Sequence, residues 1–172
     1  MLSSWAVFIV GLICIVLEGS IGHMFGVESI GFEWSLALTA YVGLRRDWHS
    51  SLWILLGWLL PMDWFSGGPG GLHAFGVVVM FWSLRAVASR FGRPWNLGKV
   101  LLASLGAGVY HAATALFFVV TAPDSPVLDA ILYTAPGAML MTLLSSVFLG
   151  WGLNRVEQML YGRRGGDGLL LS

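Results

Sequence analysis

Three side chains with the chemistry of hydrolytic enzymes lie around one turn: Asp63, Ser66 and His73. A carboxylate, a hydroxyl and an imidazole are the groups that activate a nucleophile and move its proton. Asp63 ends one apolar run, and His73 lies at the start of the next. No helical spacing places Ser66 against His73, so the pattern does not predict an acyl-transfer triad.

The same turn also has a structural interpretation. Gly67, Pro69 and Gly71 make a tight turn possible, because glycine adopts positive φ and proline fixes its own φ. Asp63 would then accept hydrogen bonds from backbone N–H groups near residues 66–68. We favour this interpretation and keep the chemical one open.

Two further ionisable residues lie within apolar runs. Glu18 is near the end of the first run and forms a possible cluster with His23. Such a carboxylate is costly in a membrane and indicates a proton or ligand site, or a group that reaches the interface or another helix. His111 lies near the middle of the fifth run. The sequence lacks the H-x-x-x-H spacing of helical metal sites, so His111 is expected to bond to a neighbouring helix.

Small residues recur every four positions at Ser104, Gly108 and Ala112. Such a stripe lets two helices approach closely. The neighbour is either another helix of this chain, which we favour, or a second protein.

The composition predicts an integral membrane protein. Of 172 residues, 57% are hydrophobic and 10% are charged, and the mean hydropathy is +0.80. The single cysteine, Cys14, allows no intramolecular disulfide. We predict one all-α domain, residues 1–161, followed by a disordered cytoplasmic tail, residues 162–172. Since a span needs about 20 apolar residues, we predict six helices, of which the second and third are short for a full span: 5–21, 30–44, 52–65, 72–88, 100–120 and 127–153.

The basic residues predict the orientation. With six spans, all nine Lys and Arg residues lie on one side, so both termini are predicted to be cytoplasmic. Arg85 is expected to reach that boundary or to pair with Asp47. Trp53, Trp58 and Trp82 are expected to line a lipid-facing or partner-facing surface.

The turn and its flanking helices resemble the rod shape-determining protein MreD family. The matching pattern is an apolar helix, Asp63, two apolar residues, Ser66-Gly67, a Pro/Gly turn, Leu72 and a second apolar helix. Trp64 and Phe65 are bulkier than the leucines common in that family.

The resemblance implies a non-enzymatic component of the cell-elongation machinery in the bacterial inner membrane, with no cofactor, metal or nucleic acid. Its expected partner is an MreC-like scaffold protein. Through that protein it would act with the actin-like MreB filament, a RodA-like glycosyltransferase and a penicillin-binding transpeptidase, supporting peptidoglycan synthesis at the lateral wall. The implied fold is similar to the S subunits of energy-coupling-factor transporters.

Two other functions remain open. An S subunit would bind a vitamin in a polar, ligand-sized outer cavity, for which the sequence offers few convergent polar groups. An intramembrane enzyme would rest only on Asp63, Ser66 and His73.

Overall fold

The computed structural model describes residues 4–25, 34–45, 47–65, 70–91, 96–122 and 126–161, and all the regular structure in these ranges is α-helical. The prediction of an all-α chain is confirmed. The predicted tail, residues 162–172, lies outside the described residues. The six helices are α1 (Ser4–Phe25), α2 (Trp34–Arg45), α3 (Trp48–Phe65), α4 (Leu72–Phe91), α5 (Asn96–Thr121) and α6 (Pro126–Tyr161).

Within the described ranges, three helical segments are long and apolar enough to cross a membrane: Leu72–Arg90, Gly98–Thr121 and Pro126–Leu153. Shorter apolar segments are Ser4–Ser20 and Trp34–Leu44. These lengths are compatible with an all-α membrane protein. The count of six spans stays a prediction.

In the described helices, small polar side chains lie inside the bundle and large apolar ones lie outside, as in membrane proteins. The buried polar side chains of the described residues are small hydroxyls, and all but Ser145 make hydrogen bonds within helices or across them. They are Ser35, Thr39, Ser51, Thr114, Thr142 and Ser145. Large aliphatic side chains such as Ile9, Ile13 and Leu17 of α1 face outward. A soluble monomer rarely exposes contiguous apolar surface on this scale.

Helix α2 lies at the centre of the bundle and packs against each of the other five helices. Its 12 residues give a length of about 18 Å, against a bilayer core of about 30 Å. Leu36, Leu38 and Val42 are completely or almost completely buried. A helix this short and this enclosed needs partners for its end groups from its neighbours.

Glycine and aromatic residues lock α1 to α3. The ring of Trp58 in α3 fills the space that a Cβ atom at Gly11 would occupy, and Phe8 in α1 does the same at Gly57. The buried Trp58 indole donates from Nε1 to the carbonyl of Phe8 at 3.1 Å. Our expectation that Trp58 lines an outer surface is therefore wrong, because Gly11 leaves room for the ring between α1 and α3.

Trp53 and Trp82 do lie on the surface, with 74% and 51% of each residue exposed. Both are in apolar helices, where an indole can face lipid. The position of a tryptophan along a span therefore did not show whether it is buried. The buried Trp58 differs in having a glycine, Gly11, on the facing helix.

Candidate functional site at the acidic end of the bundle

Glu18 and Asp63 lie at one end of the bundle, where α1 and α3 approach their ends and α2 and α4 begin; we call it the acidic end. Asp63 Oδ2 accepts a hydrogen bond from the backbone N–H of Gly71 at 2.6 Å, and Oδ1 accepts one from Ala74 N–H at 3.3 Å. Gly71 has a φ of +87°, which favours glycine. Asp63 thus satisfies N–H groups at the start of α4.

Glu18 makes the equivalent contact with α2. Its Oε2 accepts from the backbone N–H of Ser35 at 2.9 Å, and its Oε1 accepts from the Ser35 hydroxyl at 3.3 Å. Ser35 is the second residue of α2. The first turn of a helix has N–H groups without intrahelical acceptors, and the helix dipole favours a negative charge there.

The two acids therefore share one arrangement, in which a carboxylate near the end of one helix binds the start of the next. This contact explains why Glu18 and Asp63 occur in apolar runs. It supports the capping interpretation of Asp63, although the donors are Gly71 and Ala74. The donors that we predicted, residues 66–68, lie outside the described residues.

His73 joins α4 to α5. Its Nδ1 is 2.7 Å from the hydroxyl of Tyr110, with the ring centroids 5.2 Å apart. Gly76 permits this approach, since a Cβ atom there would lie 2.6 Å from the Tyr110 ring. The ring of His111 lies beside that of Tyr110, with the two ring centroids 5.0 Å apart.

A cavity of about 80 Å³ lies at the acidic end. Sites for drug-sized ligands occupy about 300–1,000 Å³. This cavity has room for a few water molecules beside the Glu18 carboxylate. Its lining residues are Ile15, Glu18, Gly19, Ser35, Met62, Phe65 and His73.

Arg85 binds the opposite end of α2. Its Nη1 donates to the carbonyl of Gly43 at 3.1 Å, and its guanidinium lies over the Trp48 ring, 5.5 Å from the centroid. Ser51 adds a hydrogen bond from its hydroxyl to the carbonyl of Val42 at 3.1 Å. We had expected Arg85 to reach the membrane boundary or to pair with Asp47, and did not identify the Gly43 carbonyl as its acceptor. The sequence contained a signal for this contact: α2 is so short that its last carbonyl groups lie inside the bundle, where they need a donor from another helix.

The small-residue stripe of α5 faces α6 of the same chain. The hydroxyl of Ser104 donates to the carbonyl of Met139 at 3.0 Å. A Cβ atom at Gly108 would lie 3.1 Å from the Met139 side chain. Ala112 is exposed. At Ser104 and Gly108 these contacts with α6 support the intramolecular alternative, whereas Ala112 is not covered.

Four predicted site residues lie outside the described residues or have undescribed side chains: His23, Ser66, Gly67 and Pro69. The structure therefore brings together Glu18, Ser35 and His73 around the cavity but does not place Ser66. Within the described ranges, no three His, Cys, Asp or Glu side chains are grouped as metal ligands would be.

Comparison of the chain with known protein families, curated proteins and solved structures finds no match.

Proposed function

We propose that this chain is a non-enzymatic adaptor of the bacterial inner membrane, which binds an MreC-like scaffold protein and supports cell elongation. The proposal starts from the resemblance of the turn around Asp63 to the MreD family. Six spans with both termini in the cytoplasm form part of the same proposal.

The observation that carries the proposal is that the polar side chains of the acidic end hold neighbouring helices together. Asp63 and Glu18 hold the starts of α4 and α2, and His73 contacts Tyr110. Each contact positions one helix on another. A turn built in this way gives the bundle a fixed shape, which is what an adaptor presents to its partner.

Among the residues that the structure describes, the cavity beside Glu18 is small for the vitamin of an S subunit, which supports the adaptor function. A volume of about 80 Å³ is well below that of a site for a drug-sized ligand. An enzyme using Asp63 as a base would need that carboxylate to leave the N–H groups of Gly71 and Ala74. The adaptor function requires neither a large cavity nor a mobile carboxylate.

Complementation tests the proposal. The chain, expressed with its own MreC-like protein, is introduced into rod-shaped cells depleted of their MreD and MreC proteins. We expect rod shape to return, and expect Asp63→Leu to reduce the rescue in proportion to its loss of folded protein. The MreC-like protein alone is the control. Round cells despite normal levels of both proteins would contradict the proposal.

A further inference from the structure

The bundle has two sides whose helices differ in apolar length. Among the described residues, α1 and α3 pack against each other, α5 and α6 pack against each other, and neither member of one pair packs against the other pair. Helix α2 packs against both pairs. The apolar segments of α5 and α6, Gly98–Thr121 and Pro126–Leu153, have 24 and 28 residues, whereas that of α1, Ser4–Ser20, is shorter. We call the surface formed by the first pair the α1–α3 side.

Exposed tryptophans mark the two ends of an apolar stripe on α3. Trp53, Leu56, Leu60 and Trp64 are all exposed and follow the spacing of three and four residues that places side chains on one helix face. Tryptophan is enriched at the boundary between lipid and water, where its ring is in apolar surroundings and its N–H is wet. Trp53 and Trp64 are about 17 Å apart along the helix axis. This length is little more than half of a bilayer core of about 30 Å.

The corresponding stripe of α6 is much longer. Its terminal aromatic residues, Tyr133 and Trp151, are both exposed, and about 27 Å separates them along the axis. Leu140 and Leu144, between them, are also exposed. The α6 stripe therefore matches the core of an ordinary bilayer, and the α3 stripe does not.

Ionisable residues near the helix ends show the same difference. On α3, His49 and Asp63 are about 21 Å apart along the axis, whereas on α6 the exposed Asp129 and Arg155 are about 39 Å apart. Charged and strongly polar groups are costly in the hydrocarbon region. The polar boundaries thus lie closer together at α3 than at α6.

Tilting of α3 does not remove this mismatch, because a tilted helix spans less depth than an upright one. A helix that is too short for the bilayer is accommodated by thinning of the lipid, by snorkelling of long basic side chains or by association with a neighbour. Helix α3 contains no Lys or Arg that could snorkel. Thinning and association are the alternatives that remain, and they are distinguishable by experiment.

We propose that the α1–α3 side thins the bilayer around it and prefers phospholipids with short acyl chains, whereas the α5–α6 side contacts lipid of ordinary thickness. Phospholipid headgroups would lie level with Trp53 on one surface and with Trp64 on the other. The inference requires, as the proposed function does, that the chain spans a membrane. It does not require a scaffold protein.

Spin-label depth measurements in vesicles of dioleoyl phosphatidylcholine test the thinning. In a Cys14→Ala background, a label is attached to a single cysteine that replaces Leu56 or Leu60 in α3, or Leu140 or Leu144 in α6 as matched controls. The rates of collision with oxygen and with a water-soluble nickel complex give the depth of each label. From the distance to the nearer terminal aromatic residue, we expect depths of about 6 Å or less on α3 and about 10 Å on α6.

Equal depths on the two helices would overturn the inference, because a uniform bilayer would bury the middle of α3 as deeply as the middle of α6. Labels shielded from both reagents on α3 alone would show that a protein covers this side, and would also overturn it. If the nickel complex reaches all four positions, the bundle does not span the bilayer, and the proposed function fails together with the inference.

Competition between two lipids tests the preference for short chains within a single molecule of the unchanged protein. Vesicles contain equal amounts of photoactivatable dimyristoleoyl and dierucoyl phosphatidylcholine, and mass spectrometry of the irradiated protein counts the adducts of each lipid on α3 and on α6. We expect the ratio of short-chain to long-chain adducts to be about twofold or more higher on α3. The same ratio on both helices would overturn the preference.

Discussion

At the scale of single residues, the two carboxylates within the apolar runs, Glu18 and Asp63, serve as helix caps. Asp63 binds Gly71 and Ala74 N–H groups, and Glu18 binds both polar groups of Ser35. The sequence was sufficient to predict a structural role for Asp63, because a carboxylate beside a glycine-rich turn commonly binds backbone N–H groups. It was not sufficient to identify the donors, since they depend on how α4 starts.

The loss of stability on substitution of Asp63 should depend on how many hydrogen-bond acceptors the new side chain keeps. Asp63→Asn keeps one acceptor oxygen and should lower the free energy of unfolding by about 0.5–1.5 kcal/mol, whereas Asp63→Leu keeps none and should lower it by about 1–3 kcal/mol. Unfolding in mixed micelles with increasing SDS measures both values. Equal losses for the two variants would show that the charge, and not the acceptor count, determines the stability.

At the scale of helices, α2 is a short central element with a carboxylate at its start and a guanidinium at its end. Glu18 and Arg85 thus complement the helix dipole at both ends. The pattern of apolar runs predicted this helix and its shortness. It did not predict that α2 lies at the centre, because hydropathy shows how apolar a segment is and not which neighbours surround it.

Removing the guanidinium should destabilise the bundle through α2. Arg85→Ala leaves the Gly43 carbonyl without this donor and should lower the free energy of unfolding by about 1–3 kcal/mol. Arg90, exposed on the same helix, is the control, and Arg90→Ala should change it by less than about 0.5 kcal/mol. Similar small effects of the two substitutions would contradict the assigned role of Arg85.

Alanine substitutions at a packed glycine and at an open glycine should change the free energy of unfolding in opposite directions. Gly11→Ala forces the Trp58 ring to move and should lower the free energy of unfolding by about 1–3 kcal/mol. Gly150→Ala meets no atom of the described chain and should raise it by about 0.5–1 kcal/mol, because alanine favours the helix. A stabilising Gly11→Ala would show that α1 and α3 are not packed as described.

At the scale of the whole molecule, composition predicted an all-helical chain and the approximate helix positions. The six predicted runs overlap the six observed helices, because each run of apolar residues also has to form internal hydrogen bonds in a bilayer. Which faces pack together was less predictable. Trp58 and Gly11 are 47 positions apart, and only the folded arrangement brings them into contact.

The proposed orientation makes a prediction about accessibility in intact cells. In a Cys14→Ala background, a cysteine placed at residue 29 or 125 should react with an impermeant maleimide, whereas one at residue 172 should react only after lysis. The physical reason is the restriction of Lys and Arg to one predicted side. Labelling at residue 172 in unbroken cells would contradict the proposed topology.

The central claim is that this bundle acts by binding a scaffold protein, and affinity purification tests it most directly. The tagged chain is solubilised from its native membranes in a mild detergent, and the proteins and small molecules that remain bound are identified and quantified by mass spectrometry. We predict that an MreC-like protein is recovered in near-stoichiometric amount. Recovery of a tightly bound vitamin-like molecule, with no scaffold protein, would contradict the account.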